Sequence, residues 1–213
     1  MAGARLGRTF YSVDPETLAR RLLWSHLVRV MDDGSIIRVR INETEAYLGA
    51  EDRAAHSFGG RRTARTEPMF GRAGTAYVYF TYGMHYCFNA VAGRVGEPVA
   101  VLLRGGEVIE GLDTALVNRG WTAEQHAARP AALADGPAKL CKALAVDRRL
   151  NGIDMTTDPR LYFEQGDATR LQDEMVERTA RIGVDYAAEW ASRPLRFIVR
   201  NDEMLAPRRR VRR

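Results

Sequence analysis

The chain has 213 residues, of which 46% are apolar and 28% charged, a length and composition that bury a core in one compact domain and exclude a disordered chain. Basic residues outnumber acidic ones by 32 to 27, yet five arginines fall in residues 208–213, so the remainder is neutral. Within that remainder residues 1–52 carry a charge of −1, residues 53–104 carry +5 and residues 105–207 carry −4. A basic stretch marks a solvated face, a phosphate partner or an anionic membrane, and charge alone does not choose among these.

The two cysteines, Cys87 and Cys141, show no CxxC spacing, which argues against a disulfide framework, a zinc ribbon or a four-Cys iron–sulfur cluster and fits a reducing cytoplasm. The N-terminus has no apolar leader, and the longest aliphatic run, residues 99–103, is far too short to span a membrane. P-loop, dinucleotide-binding and Gly-x-Ser-x-Gly signatures are absent from the sequence.

In chain order, Asp14-Pro15 followed by Leu18, Leu22 and Leu23 predicts a capped helix whose apolar stripe lies on a sheet. Residues 27–31 and 36–47, joined by Asp32-Asp33-Gly34-Ser35, predict a β-hairpin. Residues 48–74, rich in Gly, Arg and Thr, predict a long functional loop. Residues 76–82 and 84–91 are aromatic-rich strands hinged at Gly83, and residues 99–103 read as a buried strand. Ile109, Leu112 and Leu116 have helical spacing, as do Leu140 and Leu144 behind Asp135-Gly136-Pro137, and residues 195–199 form a last strand. Strands and helices mix without βαβ alternation, which makes the fold class α+β.

The strand period of two puts Glu45 and Tyr47 on one face, with Glu43 further back. A carboxylate beside an aromatic ring is either a general base in a partly apolar pocket or a surface Glu at a frayed strand end. His56 has no partner at metal-ligand spacing among His26, His85 and His126, so a packed or capping histidine is the simpler reading and no metal is expected. Tyr77 and Tyr79 share a face, and core or cross-strand pairing accounts for half of the aromatics around them. The Tyr82-Gly83-Met84 tip, which must project, fits a wedge that enters nucleic acid.

Glu43-Thr44-Glu45-Ala46-Tyr47-Leu48-Gly49, Ala54-Ala55-His56-Ser57, Met69-Phe70, Gly74-Thr75-Ala76-Tyr77-Val78-Tyr79, Tyr82-Gly83-Met84, Asn89 and Val101-Leu102-Leu103-Arg104 occur in that order. Gly136-Pro137-Ala138-Lys139-Leu140-Cys141, Arg181-Ile182-Gly183-Val184, Glu189-Trp190 and Pro194-Leu195-Arg196-Phe197 follow. This series resembles the alkyladenine DNA glycosylase family, the mammalian-type 3-methyladenine DNA glycosylases, over about residues 11–200. The resemblance implies one compact α+β domain, with a curved antiparallel β-sheet flanked by helices and a protruding β-hairpin, over residues 11–206. Residues 1–10 and 207–213 would be disordered basic tails, the second adding non-specific DNA affinity.

It further implies that Glu45 activates a water for attack at C1′ of a flipped nucleotide, with Arg104 beside it. Tyr47, His56, Tyr79, Asn89 and Leu102 would form the base pocket, His56 contributing its backbone N–H and Asn89 excluding undamaged guanine. Tyr82 and Met84 would intercalate, and Arg61, Arg62, Thr63, Arg65 and Lys139 would bind phosphates. The partner implied is damaged double-stranded DNA, met by a monomer in the cytoplasm, at the nucleoid if the cell is prokaryotic, with no cofactor and no membrane. Only Lys139 and Lys142 are lysines, and lyase chemistry needs an amine nucleophile, so a monofunctional enzyme is expected. Two departures from the family pattern stand out: Thr63-Ala64-Arg65 followed by Glu67, and Gly105-Gly106-Glu107-Val108, from which a more mobile loop behind the site is expected. The competing readings are a non-catalytic nucleic-acid-binding module of related fold, like a tRNA-binding domain of formyltransferases, and an unrelated lyase or small-molecule hydrolase using Glu45.

Overall fold

The computed structural model describes residues 3–166 and 171–199. Helix α1 (Arg8–Tyr11) is short, and α2 (Pro15–Leu22) starts where expected, because Asp14 accepts the Thr17 backbone N–H at 2.9 Å and Pro15 needs no N–H partner in the first turn. Its stripe of Leu18, Ala19 and Leu22 is buried, and the Ala19 carbonyl accepts the buried Thr44 hydroxyl at 3.0 Å, which ties α2 to the sheet.

Strands β1 (His26–Val30) and β2 (Ile36–Tyr47) form the expected hairpin, turning at Gly34 with φ +84°. β3 (Ala76–Thr81) and β4 (His85–Val91) form the second hairpin, and β5 (Ala100–Glu110) pairs with both β4 and β2. Helices α3 (Leu112–Arg119), α4 (Ala123–Ala128) and α5 (Pro137–Ala143) follow, then β6 (Leu161–Glu164), β7 (Val176–Thr179) and β8 (Arg196–Val199). The eight strands make one curved antiparallel sheet in the order β3-β4-β5-β2-β1-β6, with β8 joining β2 beyond the end of β1 and β7 outside β8. The fold class is α+β, as read from the sequence.

β2 carries irregularities in its pairing. Its register against β5 shifts on both sides of Glu43, and such irregularities bend a strand and re-aim its side chains. The first half of β2 therefore pairs with β1, while Glu43, Thr44 and Glu45 pair with β8.

Three expectations change. Residues 105–108 are the middle of β5 and not a mobile loop; a Cβ at Gly106 would lie 2.6 Å from the Arg40 carbonyl, so the glycine permits the close approach of β5 to β2. Ile109 belongs to that strand, and the helix starts only at Leu112. The N-terminal segment is docked from Gly3 onward: Leu6 N–H reaches the Phe163 carbonyl at 2.8 Å, Gln165 N–H reaches the Ala4 carbonyl at 2.8 Å, and Arg8 pairs with Asp154. Tyr11, beside Phe163, is fully buried at the base of this segment. The expected C-terminal tail, 207–213, lies outside the described residues.

Candidate active site

Glu45 pairs with Leu102 of β5 on one side and Arg196 of β8 on the other, so its carboxyl emerges in the middle of the bent sheet and is 0% exposed. Oε1 accepts the Ile182 backbone N–H at 2.8 Å and lies 3.2 Å from Nη1 of Arg104, while Oε2 accepts the Tyr47 hydroxyl at 3.0 Å. A carboxylate offers about four acceptor positions, so these three partners leave about one on Oε2. Burial pushes the Glu45 carboxyl upward, and Arg104, the Ile182 N–H and the Tyr47 hydroxyl pull it back only in part. The result is an acid–base group shifted toward neutrality, not the frayed surface Glu that spacing alone left open.

Tyr47, Arg104 and Ile182, which hold this carboxyl, also line a cleft of about 230 Å³, below the ~300–1,000 Å³ of pockets for drug-sized ligands. Tyr77, Tyr79, His56, Asn89, Leu102 and Cys87 form its walls. The His56 and Tyr79 rings meet edge-on at 4.5 Å, and His56 Nδ1 lies 2.8 Å from the Tyr77 hydroxyl. Burial and the nearby Arg65 push the His56 imidazole down to about 4, so the ring is neutral at physiological pH. Burial pushes the Tyr77 hydroxyl up to about 12 and the Tyr79 hydroxyl higher still. Asn89 donates to the Tyr77 carbonyl at 3.1 Å, which fixes its amide against the cross-strand wall.

Tyr82, at the rim, is 86% exposed; Met84, 69% exposed, lies outside the cleft lining. Tyr82 (φ +51°) and Gly83 (φ +67°) are both left-handed, and Met84 N–H bonds to the Thr81 carbonyl at 3.3 Å, the geometry of a tight hairpin turn. Tyr186, also exposed, faces the cleft from the opposite rim, its hydroxyl 3.4 Å from the Ala54 carbonyl.

The residues expected to meet phosphates are less uniform. Arg61 and Thr63 are exposed on the loop, whereas Arg62 forks onto Glu67 at 2.6 and 2.8 Å. Arg65 lies over the Tyr79 ring at 5.1 Å, at the mouth of the cleft. Lys139 pairs with Asp135 at 2.6 Å, and the cap position before α5 is Gly136. Among the described residues no group of three His, Cys, Asp or Glu could hold a metal ion, and no helix is long and apolar enough to cross a membrane.

Sequence reasoning did not single out Asp52, Arg181, Ile182 or Cys87 for the site. Asp52 and Arg181 form a buried ion pair, with the Arg181 guanidinium 4.6 Å from the centre of the Tyr47 ring. Ile182 acts through its backbone N–H, which no side-chain pattern announces. Cys87 follows from strand alternation, since it stands opposite Tyr79.

The site is thus a buried carboxylate beneath a small aromatic cleft, with an exposed tyrosine tip beside it. The family model described as Methylpurine-DNA glycosylase (MPG) matches residues 9–203, and the chain belongs to this family. A putative 3-methyladenine DNA glycosylase of Desulfitobacterium hafniense is 41% identical over 204 residues, covering 95% of this chain and 98% of the relative. The DNA-3-methyladenine glycosylases of Mus musculus and Homo sapiens are each 43% identical and cover 92% of this chain. The chain spans 59% and 66% of the length of these two mammalian relatives.

Proposed function

We propose that the protein is a monofunctional DNA glycosylase that removes alkylated or deaminated purines, of the 3-methyladenine, hypoxanthine and ethenoadenine class, from double-stranded DNA and so initiates base excision repair. The observation that carries this reading is the Glu45 carboxyl, buried beneath the aromatic cleft with its pKa raised and held by three groups that also line that cleft. In the reaction Glu45 takes a proton from water, the water oxygen bonds to C1′ of the flipped nucleotide, and the N-glycosidic bond breaks with its electron pair leaving on the base. Tyr47, His56 and Tyr79 stack on and enclose the purine; an alkylated ring is electron-poor, so aromatic faces attract it much as they attract a cation. Flipping costs a few kcal/mol, least where damage has already weakened pairing, so selection starts before the base reaches the pocket.

Tyr82 fills the gap in the stack with Met84 beside it, and the exposed arginines of residues 61–65 follow the phosphates. Neither lysine lines the cleft, which supports hydrolysis without a Schiff base. The protein acts as a monomer, in the cytoplasm or at the nucleoid. The test is incubation with duplexes carrying 3-methyladenine, hypoxanthine or ethenoadenine, followed by hot alkali: strand breaks at the lesion are expected, and none with any of the three rejects the proposal. Borohydride trapping of a protein–DNA adduct would reject the monofunctional assignment.

A further inference from the structure

The bend in β2 places a second carboxylate within reach of the same arginine. Glu43, two residues before Glu45 and mostly buried, accepts Nε of Arg104 at 2.7 Å and Nε of Arg196 at 2.6 Å, both on Oε1. Arg104 in turn presents Nη1 to Glu45 at 3.2 Å. The four side chains come from three adjacent strands, β5, β2 and β8, and their formal charges cancel.

We infer that Glu43 is the positioning residue that aims Arg104 at Glu45 and, balanced by Arg196, sets the charge environment in which Glu45 works. A guanidinium held at Nε cannot rotate in its plane without breaking that bond, so Nη1 is kept on the Glu45 side and its other edge on the cleft that Arg104 lines. Glu43 also limits how strongly Arg104 holds Glu45 ionised, because one cation is shared between two anions. Other charged or titratable groups facing Glu45 are Arg181 before Ile182, Tyr47 on β2 and Cys87 on β4. Of these, Arg181 is already committed to Asp52, and neither Tyr47 nor Cys87 carries charge at neutral pH. The Glu43–Arg196 pair is therefore the adjustable part of the field.

The inference rests on the glycosylase reading only for its kinetic consequence, so its test has two arms. In the first, protein labelled with ¹³C at the glutamate carboxyls is titrated by NMR, with the Glu45 resonance identified by its absence in Glu45→Gln. Glu43→Gln keeps an oxygen acceptor for both Nε groups but removes the charge, so Glu45 should titrate at lower pH. Arg196→Gln, which leaves the Glu43 charge without its second partner, should move the titration the opposite way. In the second arm, single-turnover base release from a hypoxanthine duplex should show acid limbs displaced in the same two directions. Glu43→Gln should hold its plateau within a few-fold, while Glu43→Ala, which also frees Arg104 to rotate, should lose about 10- to 100-fold.

An unmoved Glu45 titration in both Glu43→Gln and Arg196→Gln would overturn the inference, leaving Glu43 a mere staple between strands. Either variant alone suffices if the other does not fold. Shifted NMR titrations with a wild-type protein inert on every lesion would instead reject the glycosylase reading and leave the charge coupling standing.

Discussion

Asp52 and Arg181 form a bidentate ion pair in which both side chains are 0% exposed, with Nη1 to Oδ2 at 2.5 Å and Nη2 to Oδ1 at 2.8 Å. The pair knots the site together. Asp52 also accepts the Leu48 and Ala54 backbone N–H groups, each at 3.0 Å, fixing the loop that leads to His56. Arg181 donates to the Ala46 carbonyl at 2.9 Å, lies over Tyr47 and precedes the Ile182 N–H that holds Glu45. Asp52→Ala would leave a buried guanidinium uncompensated, a loss of about 3–5 kcal/mol in such settings. Urea unfolding of Asp52→Ala against the wild type checks this, and a difference below about 1 kcal/mol would show that the pair is dispensable.

Glu45→Gln keeps the Ile182 N–H acceptor but cannot take a proton from water. Its single-turnover base-release rate should fall by roughly 10²- to 10⁴-fold, with binding to the lesion duplex largely retained. A fully active variant would remove Glu45 from the proposed mechanism.

The pH dependence follows from the same carboxyl. In the proposed mechanism Glu45 works ionised, and burial raises its pKa, so base release is gained as pH rises through that raised value and the acid limb lies above the carboxyl's ordinary value. Tyr47→Phe keeps the ring beneath Arg181 but removes the O–H donated to Oε2. Losing a donor to the charged form raises the pKa further, so the limb should move to higher pH. Single-turnover rates measured on preformed complexes from pH 4 to pH 8 read the shift; a limb displaced to lower pH contradicts the assignment.

His56 gives a second, independent titration. Its folded pKa of about 4 lies below its ordinary value, so the unfolded chain takes up the proton first as pH falls. The stability associated with His56 is thus fully present above about pH 6.5, is lost as pH falls and is gone once pH passes below the folded value. The His56 ring proton shifts should stay flat from pH 8 to pH 5, and His56→Gln should flatten the stability curve in the acid range. A His56 inflection near pH 6.5 would mean that the ring is solvated.

The β2 hairpin, the aromatic hairpin and the α2 cap were legible because each rests on local chemistry: Asp-Gly at a turn, alternation of tyrosines, Asp-Pro at a helix start. The same alternation correctly put Glu45 with Tyr47 and Tyr77 with Tyr79, and the pairing of Tyr77 with Asn89, Asn89 with Leu102 and Leu102 with Glu45 makes both pairs part of one sheet face. β6 and β7, four residues each, escaped notice because their strand character comes from pairing with β1 and β8 and not from their own letters. Residues 105–108 misled because a departure from the family pattern suggested a more mobile loop, whereas Gly106 removes a side chain so that two strands can close. The Asp52–Arg181 pair spans 129 positions in sequence, and no local pattern links two residues so far apart.

The turn at Tyr82 allows function and folding to be separated at one residue. A non-glycine residue in the left-handed region costs roughly 1–2 kcal/mol, and Tyr82 takes this conformation at φ +51° while remaining 86% exposed. The ring buries little area at the rim of the cleft, so under the proposed function the strain serves the wedge and not the fold. Tyr82→Gly should leave thermal stability unchanged or raise it, because glycine adopts positive φ without a Cβ clash. The same variant should weaken the complex with flipped DNA by about 1–3 kcal/mol, the cost of losing one aromatic stacking partner. Thermal melts and equilibrium binding to an ethenoadenine duplex, whose fluorescence reports stacking, measure both. Undiminished binding would show that the tip is not the wedge, whereas a protein that loses stability without losing affinity would place Tyr82 in the fold.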